Sequence, residues 1–182
     1  MVRIVEIVPD TKDWTWVLER ACPECGLEAG TVPRERVAGM LLENAAAWQD
    51  VLTGPGDVRE RPAPNVWSPL EYACHVRDVC RLYDERLELM LTQDDPTFPN
   101  WDQDETAVAE RYGEQDPSQV AAELSQAAGV LAGHFDQVSG PLWDRTGQRS
   151  DGASFTVESF ARYFIHDVVH HLHDVGGAGR TG

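Results

Sequence analysis

The sequence lacks any apolar run near the ~20 residues that cross a bilayer, and it has few basic residues. Its 182 residues include 15 Lys and Arg against 31 Asp and Glu, which gives a formal charge of −16. Such a surface repels phosphate groups, and no basic stripe with interleaved aromatic residues is present. We therefore expect neither nucleic-acid binding nor membrane docking. The opening segment MVRIVEIVPDTKDW does not resemble a secretory signal, so a cytoplasmic location is expected.

Cysteine is also scarce, with four residues at Cys22, Cys25, Cys74 and Cys80. In a cytoplasmic protein we expect reduced thiols rather than disulfides. Cys74 and Cys80 fall within a predicted helix, where they are most simply small core residues. Cys22 and Cys25 belong to CPECG, which resembles half of a zinc knuckle, but no second CxxC follows. Three interpretations stay open: a second metal site completed by other residues, a redox pair, and two unligated cysteines.

Four amphipathic segments with clear start and stop signals predict long helices. The second has the clearest start, with Ser68 as the cap, Pro69 in the first turn and Glu71 three residues after the cap. Because there is no convincing sheet, the chain is predicted to be one all-α domain, a four-helix bundle. The predicted helices cover about residues 33–52, 68–92, 116–138 and 156–176.

Two long connections, at residues 94–115 and 139–155, separate these helices. We expect a short helix at 105–112 in the first connection and a short hairpin in the second. Loops of this length in a compact domain are often functional. The predicted organisation is an irregular N-terminal arm at 1–32, the bundle at 33–176 and a flexible tail at 177–182.

The histidines are concentrated in two places, at His75 and in the segment IHDVVHHLHD. His166 and His170 are four residues apart, so both imidazoles project from one helix face at a spacing that often chelates a metal. His75 lies on the inward face of the second helix and can face the last helix across roughly 8–10 Å between axes. Buried imidazoles need hydrogen-bond partners, and one ion would satisfy several at once. We therefore predict that His75, His166 and His170 bind one divalent metal; the alternative is a set of ordinary core histidines.

Three neutral nitrogen ligands would leave coordination positions free for water or substrate, which is typical of a catalytic site. Zn, Ni, Fe, Co and Mn all accept three imidazoles, and we expect Zn or Ni. Tyr163 and His173, on the same face as the histidine pair, are candidate catalytic residues. Asp78 and Asp167 are candidates to orient an imidazole through a hydrogen bond, as is Asp174.

The two long connections supply further candidates because they can cover one end of the bundle. Trp101 and Asp102 lie in the first connection, and Arg145 and Arg149 lie in the second. Either arginine is a candidate to bind a substrate carboxylate. The alternative for each of these four residues is an ordinary solvent-exposed position in a loop.

The segments WSPLEYACHVRDV and FTVESFARYFIHDVVHHLHDV together resemble the DinB superfamily of metal-binding four-helix bundles. The resemblance covers about residues 33–175 and implies an up-down-down-up order of the helices. The family pattern has one histidine on the second helix and an HxxxH pair on the last, which match His75, His166 and His170. Characterised members include thiol-dependent S-transferases and a maleylpyruvate isomerase, several of which use mycothiol or bacillithiol.

The resemblance implies a metal-dependent enzyme that activates a low-molecular-weight thiol, similar to mycothiol, for transfer to a small electrophilic substrate or for its isomerisation. A metal-bound thiol is deprotonated and therefore nucleophilic at neutral pH. Two alternatives stay open. One is a metal-dependent hydrolase that uses bound hydroxide, and the other is a non-catalytic metal-binding stress or sensor protein, as a monomer or homodimer.

Overall fold

The structure, a computed structural model, describes residues 7–9 and 13–176, so the predicted tail at 177–182 lies outside the described residues. The described helices are α1 Val37–Thr53, α2 Pro69–Thr92, α3 Gln103–Ala109, α4 Pro117–Gln137 and α5 Val157–Asp174. The described strands are β1 Thr97–Phe98, β2 Thr146–Arg149 and β3 Ser154–Thr156. None of the described helices combines the length and hydrophobicity needed to span a bilayer.

Contacts between helix ends give the direction of α1, α4 and α5. Just before α1, Arg34 Nη1 lies 3.2 Å from Glu158 Oε2 in the first turn of α5, so α1 and α5 run in the same direction. Near the end of α1, the Gln49 side chain donates a 2.5 Å hydrogen bond to the carbonyl of Ala121, near the start of α4. Helix α4 therefore runs opposite to α1.

Helix α2 runs in the same direction as α4. Arg77 Nη1 lies 2.8 Å from Glu123 Oε2 near the start of both helices, and Asp84 Oδ1 lies 2.5 Å from His134 Nδ1 further along both. The order is therefore up-down-down-up, and the predicted all-α four-helix bundle is confirmed. Helices α1 and α2 lie diagonally opposite, each packed on α4 and α5. Large fully buried side chains fill the centre, among them Leu41, Trp48, Leu124, Leu131, Phe135, Phe160 and Phe164.

The start of α2 has the predicted capping box. The Ser68 hydroxyl accepts a hydrogen bond from the Glu71 N–H at 3.2 Å, and Glu71 Oε2 accepts one from the Ser68 N–H at 2.8 Å. These bonds satisfy N–H groups that the first turn of a helix leaves without partners. Glu71 also forms a two-bond pair with Arg61, from Nε at 2.9 Å and from Nη2 at 2.5 Å. This fixes the end of α2 that carries His75.

Replacing Glu71 by glutamine should lower the free energy of unfolding at pH 7 by about 1–2 kcal/mol. Burial alone would raise the pKa of Glu71, but hydrogen bonds from Arg61 and from the Ser68 N–H outweigh it and lower the pKa. A lowered pKa in the folded state stabilises the fold above the ordinary glutamate pKa of about 4.3, and this stabilisation is lost as the pH falls below it. The difference between the variant and the parent should therefore vanish in acid.

Urea unfolding at several pH values measures this difference. Glu88→Gln is the matched control, because Glu88 is exposed on the same helix and should change stability by less than about 0.5 kcal/mol. A Glu71→Gln difference that stayed constant through the acid range would show that the carboxylate charge of Glu71 does not stabilise this end of α2.

The two long connections join in a small sheet that the sequence predicted only in part. The predicted hairpin is confirmed, since β2 pairs antiparallel with β3. Strand β1 was not predicted and pairs parallel with β2, with Thr97 opposite Gln148. The predicted helix at 105–112 is shifted to Gln103–Ala109, because Arg111 has a positive φ of 50° that ends the helical path. The sheet holds both connections over the same end of the bundle.

The N-terminal arm packs along α5. Two short 3₁₀ turns, Thr15–Leu18 and Ala29–Thr31, contribute the fully buried Val17 and Ala29. Cys22 lies between these turns and is only 1% exposed. The arm is therefore irregular, as predicted, and its described part has its own apolar contacts with the bundle.

Candidate metal centre

Helix α5 presents two side-by-side pairs of metal-binding residues. His166 and His170 form one pair, and Asp167 and His171 form the other; both have the four-residue spacing that stacks side chains on adjacent turns. Successive residues of an α-helix are rotated by about 100°. The second pair therefore lies on the neighbouring face of the helix, and the two pairs meet different parts of the protein.

The Asp167 and His171 pair faces α2, where it meets His75. Ligand atoms of these three residues all lie within 4.8 Å of one another. Asp167 lies between the two imidazoles, with Oδ2 at 3.8 Å from His75 Nε2 and Oδ1 at 3.5 Å from His171 Nε2. The rings of His75 and His171 meet edge to face at a centroid distance of 4.7 Å. We call His75, Asp167 and His171 the bundle site.

Buried polar atoms at the bundle site lack partners. Within residues 7–9 and 13–176, neither nitrogen of His75 has a hydrogen-bond partner, nor does Oδ2 of Asp167. A buried polar atom without a partner costs about 1–3 kcal/mol. A cation between these atoms would remove that cost, and two imidazoles with one carboxylate are a ligand set of catalytic zinc sites. The residues therefore fit a divalent metal.

The charges at the bundle site are arranged around Asp167. Burial lowers the pKa of His75, so its imidazole is neutral and has a free lone pair. Burial alone would raise the pKa of Asp167, but the charge and hydrogen bond of His171 outweigh it, and the pKa lies well below its usual range. Burial alone would lower the pKa of His171, but Asp167 and Asp174 raise it to about 9.

Asp174 fixes the orientation of His171, since its Oδ2 lies 3.2 Å from His171 Nδ1. This contact leaves Nε2 of His171 directed toward Asp167. A carboxylate on the other ring nitrogen is the usual device that orients a metal-binding histidine. Asp174, named from the sequence among the acids that could orient an imidazole, contacts His171 in this way.

The predicted triad of His75, His166 and His170 is divided in the structure. His75 joins Asp167 and His171, whereas His166 and His170 lie with Cys22 and Cys25 of the arm, again with ligand atoms all within 4.8 Å. The cause is the rotation between adjacent helix positions: α2 faces the 167/171 pair and the arm faces the 166/170 pair. Asp167, predicted only to orient an imidazole, offers a carboxylate oxygen to the group that contains His75. We call the second group the arm site.

A cavity of about 710 Å³ opens over the bundle site. Asp167 and His171 lie on its floor, and Trp101 stacks on His75 with ring centroids 5.5 Å apart and planes at 12°. Trp101 thus lies over the site, in the position predicted for it. Other lining side chains include Trp14, Asn65, Trp67, Tyr72, Asn100, Asp102, Arg149 and Tyr163.

The two candidate arginines are placed differently. Arg149 lines the cavity, with Nη1 at 3.5 Å from the Tyr163 hydroxyl and Nη2 at 2.7 Å from Asp151. Arg145 instead donates to the carbonyl of Met90 at 2.6 Å and to that of Gln93 at 2.5 Å, and so caps the end of α2. Its predicted role with a substrate carboxylate is not supported, because these bonds direct it away from the cavity.

Two other predicted residues also lie elsewhere. Asp78 accepts hydrogen bonds from the Tyr112 hydroxyl at 2.6 Å and from Arg77 Nε at 2.9 Å, so it holds the start of α2 to the loop before α4 rather than orienting His75. His173 is exposed and belongs to neither group of candidate ligands in the described chain. Tyr163, the other candidate catalytic residue, lines the cavity.

Comparisons with known proteins agree with this architecture. The structure of YfiT from Bacillus subtilis, described as a probable metal-dependent hydrolase with an unusual four-helix bundle topology, matches with a TM-score of 0.71 at 18% identity. The match covers 79% of this chain and 85% of that chain, and at this identity it shows the fold alone. The comparison with curated proteins gave no match. Residues 27–175 match the family described as the DinB superfamily. Because this match spans most of the sequence, the chain belongs to the DinB superfamily.

Proposed function

We propose that this protein is a metal-dependent enzyme that uses the bundle site to activate a low-molecular-weight thiol. The observation that carries the proposal is the grouping of His75, Asp167 and His171 beside a cavity of about 710 Å³, which Asp167 and His171 line. Ligand pockets for small molecules typically have volumes of roughly 300–1,000 Å³. A structural metal site would be closed by protein ligands instead.

The three side chains of the bundle site would supply different kinds of ligand atom to an ion. His75 offers a neutral nitrogen atom, His171 would offer one once the ion displaces its proton, and Asp167 offers the single negative charge. This set would leave a net charge of +1 around a divalent ion, and three protein ligands would leave coordination positions free for water or a thiol. When bound, such an ion favours the thiolate form of a coordinated thiol, which makes it a nucleophile at neutral pH.

The walls of the cavity suit a thiol that carries many hydroxyl groups, as mycothiol does. Asn65, Asn100 and Asp102 present amide and carboxylate groups that bind hydroxyls. Trp67 and Trp101 offer flat apolar surfaces. In the proposed reaction the thiol loses its proton to solvent and its sulfur forms a bond to an electrophilic carbon of the substrate. With an alkylating electrophile the leaving group departs with its bonding electron pair, and with an activated C=C bond the π electron pair moves to the neighbouring carbon, which takes a proton from solvent.

Turnover of small electrophiles should therefore require a thiol. The experiment incubates the metal-loaded protein with maleylpyruvate or an alkylating electrophile, with and without mycothiol, and follows substrate loss. We expect at least about a hundredfold higher rate with the thiol. His75→Ala protein is the control for the uncatalysed reaction of thiol with substrate, and equal rates for variant and parent would overturn the proposal.

A second candidate is a metal-dependent hydrolase, in which water takes the open position. It is favoured by the likeness to YfiT, described as a probable metal-dependent hydrolase, and by a site that does not itself exclude water. Turnover of ester or amide substrates in the absence of any thiol would support it. The same loss on His75→Ala is expected in both cases, so thiol dependence distinguishes them.

A further inference from the structure

We propose that the arm site is a second metal site, in which Cys22, Cys25, His166 and His170 bind one zinc ion that fastens the arm to α5. This proposal is independent of the proposed function, since it uses none of the bundle-site residues. The sequence left the two cysteines with three interpretations, and the structure supplies the two histidines that a complete zinc site needs. Two thiolates and two imidazoles are a common ligand set of structural zinc.

The geometry fits tetrahedral zinc. Cys22 Sγ lies 3.6 Å from His170 Nδ1. Two ligands of one zinc ion, with a Zn–S bond of about 2.3 Å and a Zn–N bond of about 2.05 Å at the tetrahedral angle, are separated by about 3.6 Å. Cys22, His166 and His170 are only 1%, 4% and 8% exposed, and the two histidines also line the cavity beside the bundle site.

The backbone of the CPECG segment is folded as a knuckle around both cysteines. The Gly26 N–H donates to the Cys22 carbonyl at 2.8 Å, and the Cys22 N–H donates to the Leu27 carbonyl at 2.9 Å. Gly26 has a φ of +77°, a conformation that favours glycine. This turn brings the Cys22 and Cys25 sulfurs together on the side that faces α5.

The two histidines are oriented as ligands. His170 Nε2 lies 3.4 Å from Glu24 Oε2 and 3.7 Å from Asp174 Oδ1, which leaves Nδ1 for the sulfur side. Carboxylates at the outer nitrogen fix a metal-binding imidazole in this way. His166 Nε2 is buried and has no hydrogen-bond partner in the described part of the chain. A redox pair of cysteines would leave His166 Nε2 without a partner, whereas a zinc ion would contact both histidines.

A site with four protein ligands has no position for substrate, so this ion would be structural. Two thiolates cancel the charge of Zn²⁺, so the occupied arm site adds no net charge beside the bundle site. Its effect would be positional: Trp14 of the arm lies 5.1 Å from the His170 ring and 5.7 Å from the His166 ring, and it lines the cavity. The zinc would thus hold one wall of the cavity.

Cys22 and Cys25 precede the family match, which begins at residue 27.

Metal analysis of the full chain tests the proposal. The parent protein, purified with zinc, should hold two equivalents. Cys22→Ser/Cys25→Ser should lose one of them and His75→Ala the other. With cobalt in place of zinc, a thiolate-to-cobalt charge-transfer band should be present in the parent and in His75→Ala, and absent from the double cysteine variant. Cys74→Ser, a change at a buried cysteine outside both sites, should keep both equivalents.

A measurement on the parent protein covers the case in which the double variant does not fold. Cys22 and Cys25 should resist alkylation in the zinc-loaded protein and react after chelation. A disulfide between them in zinc-loaded protein, a cobalt spectrum without the thiolate band, or unchanged zinc content in a folded double variant would each overturn the proposal. Failure of the thiol-dependent turnover would leave these readouts unchanged.

Discussion

Asp167→Asn should abolish the metal affinity of the bundle site and lower turnover by at least about a thousandfold. Asp167 is the only anionic residue of this site, and it lies between the two imidazoles at 3.8 Å and 3.5 Å. Asparagine keeps the shape of the side chain but removes the negative charge that attracts the cation. The two histidines alone would then have to hold the ion.

His166, the residue just before Asp167, should affect the arm site and not the bundle site. His166→Ala should remove metal from the arm site and leave the bundle site loaded, although the two positions are adjacent in sequence. Metal content and turnover are measured for both variants, and His134→Ala is the control because His134 is exposed and paired with Asp84. If Asp167→Asn kept its metal while His166→Ala lost the catalytic ion, the triad predicted from the sequence would be restored.

Chelation of zinc should make the arm sensitive to trypsin after Arg20, by at least about a thousandfold in cleavage rate. Arg20 is exposed and lies two residues before Cys22. A ligand present at about a thousand times its dissociation constant suppresses opening by about 4 kcal/mol, and structural zinc binds at least this tightly. Without zinc the arm keeps its apolar contacts with α5, including those of Val17 and Ala29, but loses four metal bonds, so it should open far more often.

Gel analysis of limited proteolysis measures this change. The bundle itself should remain intact, since its core does not depend on the arm. His75→Ala provides the matched control: it loses the bundle-site ion but should keep the arm protected until a chelator is added. Equal cleavage of the parent protein before and after chelation would contradict a structural role for the arm site.

The architecture could be predicted because its signals are local. The capping box at Ser68 and Glu71, the apolar spacing, and the glycines Gly54 and Gly176 after the first and last helices are all read over a few residues. Strand β1 was missed because a two-residue strand, Thr97–Phe98, has too few residues to show alternation. Its partner lies in the other connection, and such long-range pairing has no local signal.

The sequence assigned His75, His166 and His170 to one site, whereas the structure divides them between two groups of candidate ligands. The HxxxH spacing of His166 and His170 predicts that they share an ion. It does not say which neighbour they face. Asp167 and His171 have the same four-residue spacing, and this was the signal that could have revealed a second pair. The assignment depends on tertiary packing: α2 packs on the side of α5 that carries Asp167 and His171, and the arm packs on the side that carries His166 and His170.

The separation of the arm-site ligands along the chain has a consequence for the order of folding. Cys22 and His170 are 148 residues apart, so the ligands come together only after α5 has been made and has docked in the bundle. A small zinc finger folds around its ion because its ligands are close in sequence. Here the bundle has to form first, and zinc would arrive as a late step that closes a very long loop. Refolding from denaturant should accordingly show a bundle phase that is independent of zinc, followed by a zinc-dependent docking of the arm.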